Sequence, residues 1–297
     1  MRIFITGGSG LLGQYLNIEL SQKHQIITQY NSNTGNCSKF DNVKLDLTSS
    51  GSLESVFIKF KPETVIHTAA ISHPASAENL SSKKVYEINV TATQLIANLC
   101  KKYNAKMIYT STDLVYAGYR GSFLNEDAKL IPVSLYAETK LMGEVKIQQT
   151  FDNYIILRTA LLYGFGLNHS MCHFQYMYEN LKEGKEVKLF VDQFRSPLSV
   201  IDAVSMINQL LEKDIKTEVI NFGGIERVSR YELGEKLCKA AGFDKQLLLN
   251  INMDQVPGLI RVKDVSMNVE RLLSYGIKAE NIENSINLCL KNLKIKK

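Results

Sequence analysis

Tyr136 and Lys140 stand four residues apart in Tyr136-Ala137-Glu138-Thr139-Lys140, a separation that puts both side chains on one face of a helix. A free phenol titrates at about 10 and is a poor acid or base at neutral pH, and a lysine ammonium one turn away favours its phenolate. Upstream, Thr110-Ser111-Thr112-Asp113 gathers hydroxyls behind the short apolar run Lys106 to Thr110. A hydroxyl from Thr112 beside the Tyr136 phenol can bind a carbonyl oxygen. These parts suffice for hydride delivery to a ketone, with Tyr136 giving the proton. A Tyr-x-x-x-Lys pair also occurs as exposed neighbours on helices without function, so its weight comes from what precedes it in the chain.

What precedes it is a phosphate-binding pattern. Ile3-Phe4-Ile5 reads as a buried strand, Thr6-Gly7-Gly8-Ser9-Gly10-Leu11-Leu12-Gly13 as a glycine turn, and Leu12, Leu16 and Leu20 as the apolar face of a helix. Strand, glycine turn and helix open a dinucleotide-binding fold. Gly7 permits the sharp turn, Gly10 lets a pyrophosphate approach the backbone, and Gly13 is expected to bring the helix close to the sheet. The free N–H groups at the helix start then face the phosphates. With a dinucleotide in place, Lys140 can also hold its nicotinamide ribose.

The elements needed to position these groups follow in order. Gln25 to Tyr30 reads as a second strand, ending in Asn31-Ser32-Asn33-Thr34 where an NAD-specific site would carry a carboxylate for the ribose. Without that carboxylate, Asn31 and Ser32 tolerate a 2′-phosphate, so NADP(H) is preferred and NAD(H) also accepted. No arginine falls between Arg2 and Arg120, and Lys39 is the nearest cation. Val43 to Leu45 makes a third strand, ending at Asp46-Leu47. Asp46 either accepts from an adenine amino group or caps the helix Ser49 to Phe60. Thr64 to Ala70 is a fourth strand whose small end, Ala69-Ala70, passes a bound cofactor, with His67 a core histidine. His73 to Lys83 reads as a loop or short helix. Val85 to Tyr103 is a long amphipathic helix from which Asn89 can brace the neighbouring strand end.

Farther on, His169, Cys172 and His173 lack the third ligand of a metal site, and Phe174, Met177, Tyr178 and Leu181 form a helical core stripe. Val187 to Val191 is a strand. Arg195 after it suits a diphosphate or a surface salt bridge, and Arg261 is a second candidate for a phosphate. Val200 to Leu211 is a helix and Glu218 to Phe222 a strand. Ser229 caps the helix Arg230 to Ala241, with Glu232 in its first turn. Leu247 to Ile251 is an edge strand. A helix from Asn268 to Tyr275 stops at Gly276, and Asn281 to Leu293 is the last helix.

The 297 residues suffice for a doubly wound domain and a smaller partner. We expect an α/β Rossmann-type doubly wound parallel sheet over residues 1–166, with 196–224 returning to it. A smaller mixed α/β substrate-binding lobe takes 167–195 and 225–297. Hydrophobic residues at 45% and charged residues at 22% fit a globular enzyme. The net charge of +5 is spread along the chain apart from the tail Lys291 to Lys297, which argues against nucleic acid. Five scattered cysteines suggest neither a disulfide framework nor zinc. No apolar run reaches about 18 residues, so no membrane span is expected, and a soluble cytoplasmic protein is.

Taken together, the motifs resemble the extended short-chain dehydrogenase/reductase family, and within it the dTDP-4-dehydrorhamnose reductase branch. The resemblance is carried by Thr6–Gly13, Val65–Ala70, Ser111–Gly118, Tyr136–Glu144, Ile156–Gly164, Asp192–Ala203, Asn221–Gly224, Val228–Gly234 and Arg261–Leu272. It implies Thr112, Tyr136 and Lys140 as the catalytic set, and Gly7, Ser9, Gly10, Leu11 and Leu12 at the pyrophosphate. Ala69, Ala70, Asn89, Thr110 and Leu162 belong to the cofactor channel, and Thr112, Asp113 and Arg195 to the substrate. The implied reaction is reduction of a nucleotide-linked 4-keto-6-deoxysugar in a monomer or homodimer. Leu114 and Leu161 replace the branch's Tyr and Trp and remove a stacking surface, which points to a related keto-deoxysugar. Tyr15 replaces a magnesium-binding Glu, so no metal is expected. Two other roles share the pattern: an NADP-binding regulatory subunit like that of methionine adenosyltransferase, and a nucleotide-sugar epimerase.

Overall fold

A computed structural model describes residues 1–72 and 74–295; His73 and the last two lysines of the tail lie outside the described residues. The first half alternates strand and helix: β1 (Arg2–Thr6), α1 (Leu11–Leu20), β2 (Gln25–Tyr30), β3 (Asn42–Lys44), α2 (Ser50–Phe60) and β4 (Thr64–His67). Then come α3 (Pro74–Glu78), α4 (Ser82–Tyr86), a π turn (Glu87–Thr91), α5 (Ala92–Lys102), β5 (Lys106–Thr112), α6 (Leu135–Thr150) and β6 (Tyr154–Thr159).

The second half is more broken: β7 (Leu162–Tyr163), α7 (His173–Lys182), β8 (Val187–Phe190), β9 (Phe194–Arg195), β10 (Leu198–Ser199), α8 (Val200–Leu211) and β11 (Glu218–Phe222). It closes with β12 (Val228–Ser229), α9 (Arg230–Ala241), β13 (Leu248–Ile251), α10 (Glu270–Ser274) and α11 (Ile282–Ile295).

Seven strands form one parallel sheet in the order β11-β6-β5-β4-β1-β2-β3. This is the doubly wound Rossmann arrangement, whose order reverses between β1 and β4. At such a switch point a crevice opens beyond the carboxyl ends of the strands. Helices cover both faces, which is why the central strands are continuous apolar runs. Leu16 and Leu20 of α1 and Val204 and Ile207 of α8 fill one side; Phe57, Ile96 and Ile147 from α2, α5 and α6 fill the other. A separate core gathers Phe174, Leu189, Leu237 and Ile286 beside the two-stranded β8–β13 sheet.

Three local expectations need correction. The third strand spans Asn42–Lys44 and the fourth ends at His67, because the chain beyond each turns to line the crevice. The long helix expected from Val85 is α4, a π turn and α5. Such one-turn π insertions re-aim side chains and recur at functional sites. Here the turn carries Asn89, whose Oδ1 accepts from the Ile71 amide at 2.8 Å and whose Nδ2 donates to Thr139 Oγ1 at 3.0 Å. One amide thereby ties the segment after β4 to the helix α6.

Candidate active site

The crevice has a volume of about 1250 Å³ and runs from the glycine turn to the β9–α9 region. A drug-sized ligand occupies pockets of ~300–1,000 Å³, so there is room for a dinucleotide and a second molecule. Among the residues singled out from the sequence, Gly7, Ser9, Gly10, Leu11, Leu12, Asn31, Asp46, Leu47, Ala69 and Ala70 line it. So do Thr110, Thr112, Asp113, Tyr136, Lys140, Leu162 and Arg195. Ser32 and Asn89 do not. Asn89 is 1% exposed and acts from behind through Ile71 and Thr139.

The glycine turn fits a pyrophosphate. Gly7 has φ +69°, and a Cβ there would lie 2.7 Å from the Ala69 amide nitrogen. At Gly10, the N-cap of α1, a Cβ would meet Gly7 O alone, at 3.3 Å, so the approach over the helix start is open. The first amides of α1 have no intrahelical acceptor and present a positive end to that space. The role expected of Gly13 changes: its Cβ would strike Gly7 O and the Gly8 Cα, so it lets the helix close on the turn itself rather than on the sheet. Gln29 Oε1 accepts from the Gly7 amide at 2.9 Å and steadies the turn.

Toward the expected adenosine end, Asp46 does not cap α2, where Ser49 holds the N-cap position. Its carboxylate accepts from the Thr48 amide and hydroxyl at 2.9 and 2.7 Å, and these bonds hold it below the usual carboxylate range. Lys39 is exposed away from the crevice; the lysine that lines this end is Lys84 of α4.

The chemistry-bearing groups meet at the end of β5 and the start of α6. Thr112 Oγ1 donates to Asp113 Oδ1 at 3.2 Å and accepts from the Leu114 amide at 3.2 Å, and the Tyr136 phenol is beside the same hydroxyl. Ser134 caps α6 by accepting from the Ala137 amide at 3.3 Å, which fixes the helix start just before Tyr136. The expectation that Lys140 favours the phenolate is not met. Burial, with the charge of Asp113 adding to it, pushes the phenol up to about 12. Lys140 itself is pushed down to about 7 by burial, opposed by the charge of Glu144, and its ammonium sits over the Tyr109 ring. Tyr136 is therefore a neutral phenol, a proton donor rather than a base. His67 is a core residue: its ring nitrogens bond Thr6 Oγ1 at 2.6 Å and Thr93 Oγ1 at 2.9 Å, and burial lowers it to about 3.

At the other end, the surface salt bridge considered for Arg195 is replaced by a buried pair. Arg195 Nε lies 3.6 Å from Asp113 Oδ2, with both side chains at most 6% exposed. Arg261 is exposed and does not line the crevice, although Ile260 and Val262 do. Sequence reasoning missed Arg230, which does. Its Nε donates to Gln193 Oε1 at 2.9 Å, while its Nη1 is buried with no hydrogen-bond partner. Burial and the neighbouring Arg195 lower it to about 9. A partnerless buried guanidinium nitrogen is costly, and an anion is the ligand that would satisfy it.

The loop from Gly166 to Cys172 closes over the glycine turn, contributing His169, Ser170, Met171 and Cys172 to the crevice wall. Gln14 holds it there. Its Nε2 donates to Ser9 O and Leu167 O, each at 2.8 Å, and its Oε1 accepts from Asn168 Nδ2 at 2.7 Å. The loop enters α7 with Cys172 at its N-cap, and the stripe Phe174, Met177 and Leu181 is core.

The model of the RmlD substrate binding domain matches residues 1–295. The chain is 27% identical over 283 residues to methionine adenosyltransferase 2 subunit beta of Bos taurus, covering 93% of this chain and 83% of that one. It is 28% identical over 225 residues to the dTDP-4-dehydrorhamnose reductase of Aggregatibacter actinomycetemcomitans, covering 75% and 71%. Among solved structures, a hypothetical dTDP-4-dehydrorhamnose reductase from Sulfolobus tokodaii superposes with a TM-score of 0.81 at 31% identity, covering 95% and 98%.

Proposed function

The chain belongs to the RmlD substrate binding domain family, and from that premise we propose that it is an NADP(H)-dependent reductase of a nucleotide-linked 4-keto-6-deoxysugar. The observation that carries this reading is the neutral Tyr136 phenol, beside Thr112 and one helical turn from Lys140, in a crevice that continues from the glycine turn.

The first turn of α1, with Gly7, Ser9 and Gly10, would hold the pyrophosphate of the cofactor, and Asp46, Leu47, Ala69 and Ala70 its adenosine. Asn31, in place of a carboxylate, accommodates a 2′-phosphate. When bound, the nicotinamide supplies the hydride. Thr112 and Tyr136 bind the sugar ketone oxygen from two sides, and Tyr136 gives it a proton as negative charge develops there. A phenol at about 12 keeps its proton until that moment, and an alkoxide is basic enough to take it. Lys140, when charged, holds the nicotinamide ribose. Arg195 and Arg230 face the substrate diphosphate, with Asp113 balancing Arg195. Leu114 and Leu161 line the crevice where the branch uses aromatic residues, which favours a keto-deoxysugar related to the rhamnose precursor.

On this reading residues 1–166 and 196–224 form the dinucleotide half and 167–195 with 225–297 the substrate lobe of a cytoplasmic enzyme. NADPH oxidation with a panel of nucleotide-linked 4-keto-6-deoxysugars tests it; turnover on one member supports the proposal. The match to methionine adenosyltransferase 2 subunit beta over 93% of the chain favours a second reading, an NADP-binding regulatory subunit. Cofactor binding with silence across the panel, and co-purification with a partner enzyme, would support that one instead.

A further inference from the structure

We propose that Glu144 is a positioning residue of this site: its carboxylate keeps the Lys140 ammonium charged and pins the end of β5, and with it Thr112, against α6. Glu144 follows Lys140 by one helical turn, as Lys140 follows Tyr136, so the three stack along one face of α6. All three are buried. The carboxylate accepts from the Ser111 hydroxyl, next to Thr112, and from Arg158 Nη2 and Nε at 2.9 and 3.2 Å. Arg158 reaches on, donating from Nη1 to Glu126 O at 2.7 Å and to the Tyr116 hydroxyl at 3.1 Å. One carboxylate therefore joins β5, α6 and β6 immediately behind the reacting groups.

Stability does not account for such a pair. Burying two charges is costly, and apolar replacement of a buried ion pair is often neutral or stabilising. The neighbours of Lys140 supply a different reason. Its Nζ rests 4.0 Å from the centre of the Tyr109 ring, against which the His67 ring stacks at 5.5 Å. His67 is uncharged at neutral pH, and the Tyr109 phenol is held well above its ordinary value by burial. Tyr136 is neutral, and Asp113 is engaged with Arg195. Among the described residues, Glu144 is the anion that opposes the desolvation of Lys140. Without Glu144, burial would push Lys140 below its value of about 7 and leave it uncharged at neutral pH.

The kinetic consequence rests on the reductase reading, but the charge of Lys140 is measurable without turnover. In protein labelled with [ε-¹³C]lysine, the Lys140 resonance is assigned by its loss in Lys140→Arg and titrated by NMR. In Glu144→Gln the midpoint is expected to fall by about 0.5 pH unit or more. The double variant Glu144→Gln/Arg158→Met leaves no arginine unpaired and is expected to show a smaller fall in the same direction, because the Arg158 cation is removed with the carboxylate. An unchanged Lys140 midpoint in a folded variant overturns the charge role. Ser111→Ala, which keeps the carboxylate, is expected to lower kcat at least tenfold with the Lys140 midpoint unmoved; full kcat overturns the positioning of Thr112. Wild-type protein that reduces no keto-sugar refutes the reductase reading alone, and the titration still decides the role of Glu144.

Discussion

The Lys140 ammonium nitrogen lies 4.0 Å from the centre of the Tyr109 ring. A cation over an aromatic face is attracted by the ring quadrupole, so Tyr109 holds Lys140 in place within the helix face it shares with Tyr136. The buried contact also removes the ammonium from water, which is why Lys140 titrates down at about 7. The site thus carries a lysine poised at neutrality beside a phenol fixed in its protonated form.

Those two groups predict a pH profile. Lys140 is charged below about 7 and neutral above it, while Tyr136 stays protonated until about 12. Activity that needs the ammonium is therefore present on the acid side and falls as pH rises through about 7, with no second loss from Tyr136 before about 12. Steady-state kcat/KM from pH 6 to pH 10, roughly the span around these values, checks this; a rise across neutrality would contradict it.

Tyr136→Phe removes the proton donor and little volume. Turnover is expected to drop by ~10²–10⁴-fold, the usual worth of a general acid, with NADPH binding retained. Fluorescence titration of NADPH alongside the assay separates the two effects.

Arg230→Gln removes the guanidinium whose Nη1 has no partner. A charge-assisted hydrogen bond contributes ~1.5–3 kcal/mol, so KM for the nucleotide sugar should rise roughly ten- to hundredfold. NADPH affinity should stay the same, because Arg230 is grouped with Gln193 and Arg195 and is not part of the glycine turn. Competitive inhibition by a free nucleoside diphosphate should weaken in parallel.

Gln14→Leu keeps the size of the side chain and loses every bond to the 167–170 loop. NADPH affinity is expected to fall by about tenfold, the worth of one or two net hydrogen bonds, and its dissociation rate to rise. Stopped-flow displacement of bound NADPH measures both.

Asn89→Ala leaves the Ile71 amide without its acceptor. An unsatisfied buried donor costs ~1–3 kcal/mol, and for this part-buried amide at the crevice wall the low end applies, so the thermal midpoint should drop by a few degrees, which calorimetry reads directly.

Much of this organisation is legible in the chain because it is local. The strand Gln25–Tyr30, the helix Val200–Leu211 and the Ser229–Glu232 capping box all follow from short-range pattern and cap chemistry. The glycine turn and Tyr136–Lys140 are legible for the same reason. The π turn at Asn89 is not, since one inserted residue barely alters an amphipathic period over so short a helix. Arg230 is hidden because the first position of a capped helix says nothing about which cavity it faces. The pairs Glu144–Arg158 and Gln14–Asn168 join residues 14 and 154 positions apart, and only the folded sheet and loop bring them together. The raised titration of the Tyr136 phenol is not legible from spacing, since burial is a property of the whole fold.

The central claim is hydride transfer to a sugar ketone with Tyr136 as proton donor, and deuterium tracing from 4-deuterated NADPH to a nucleotide-linked 4-keto-6-deoxysugar tests it most directly. The account predicts a reduced sugar with one deuterium on the former carbonyl carbon, one oxidised cofactor per product, and no such product from Tyr136→Phe. Unlabelled product, or no product from any member of the panel while the cofactor binds, would contradict it.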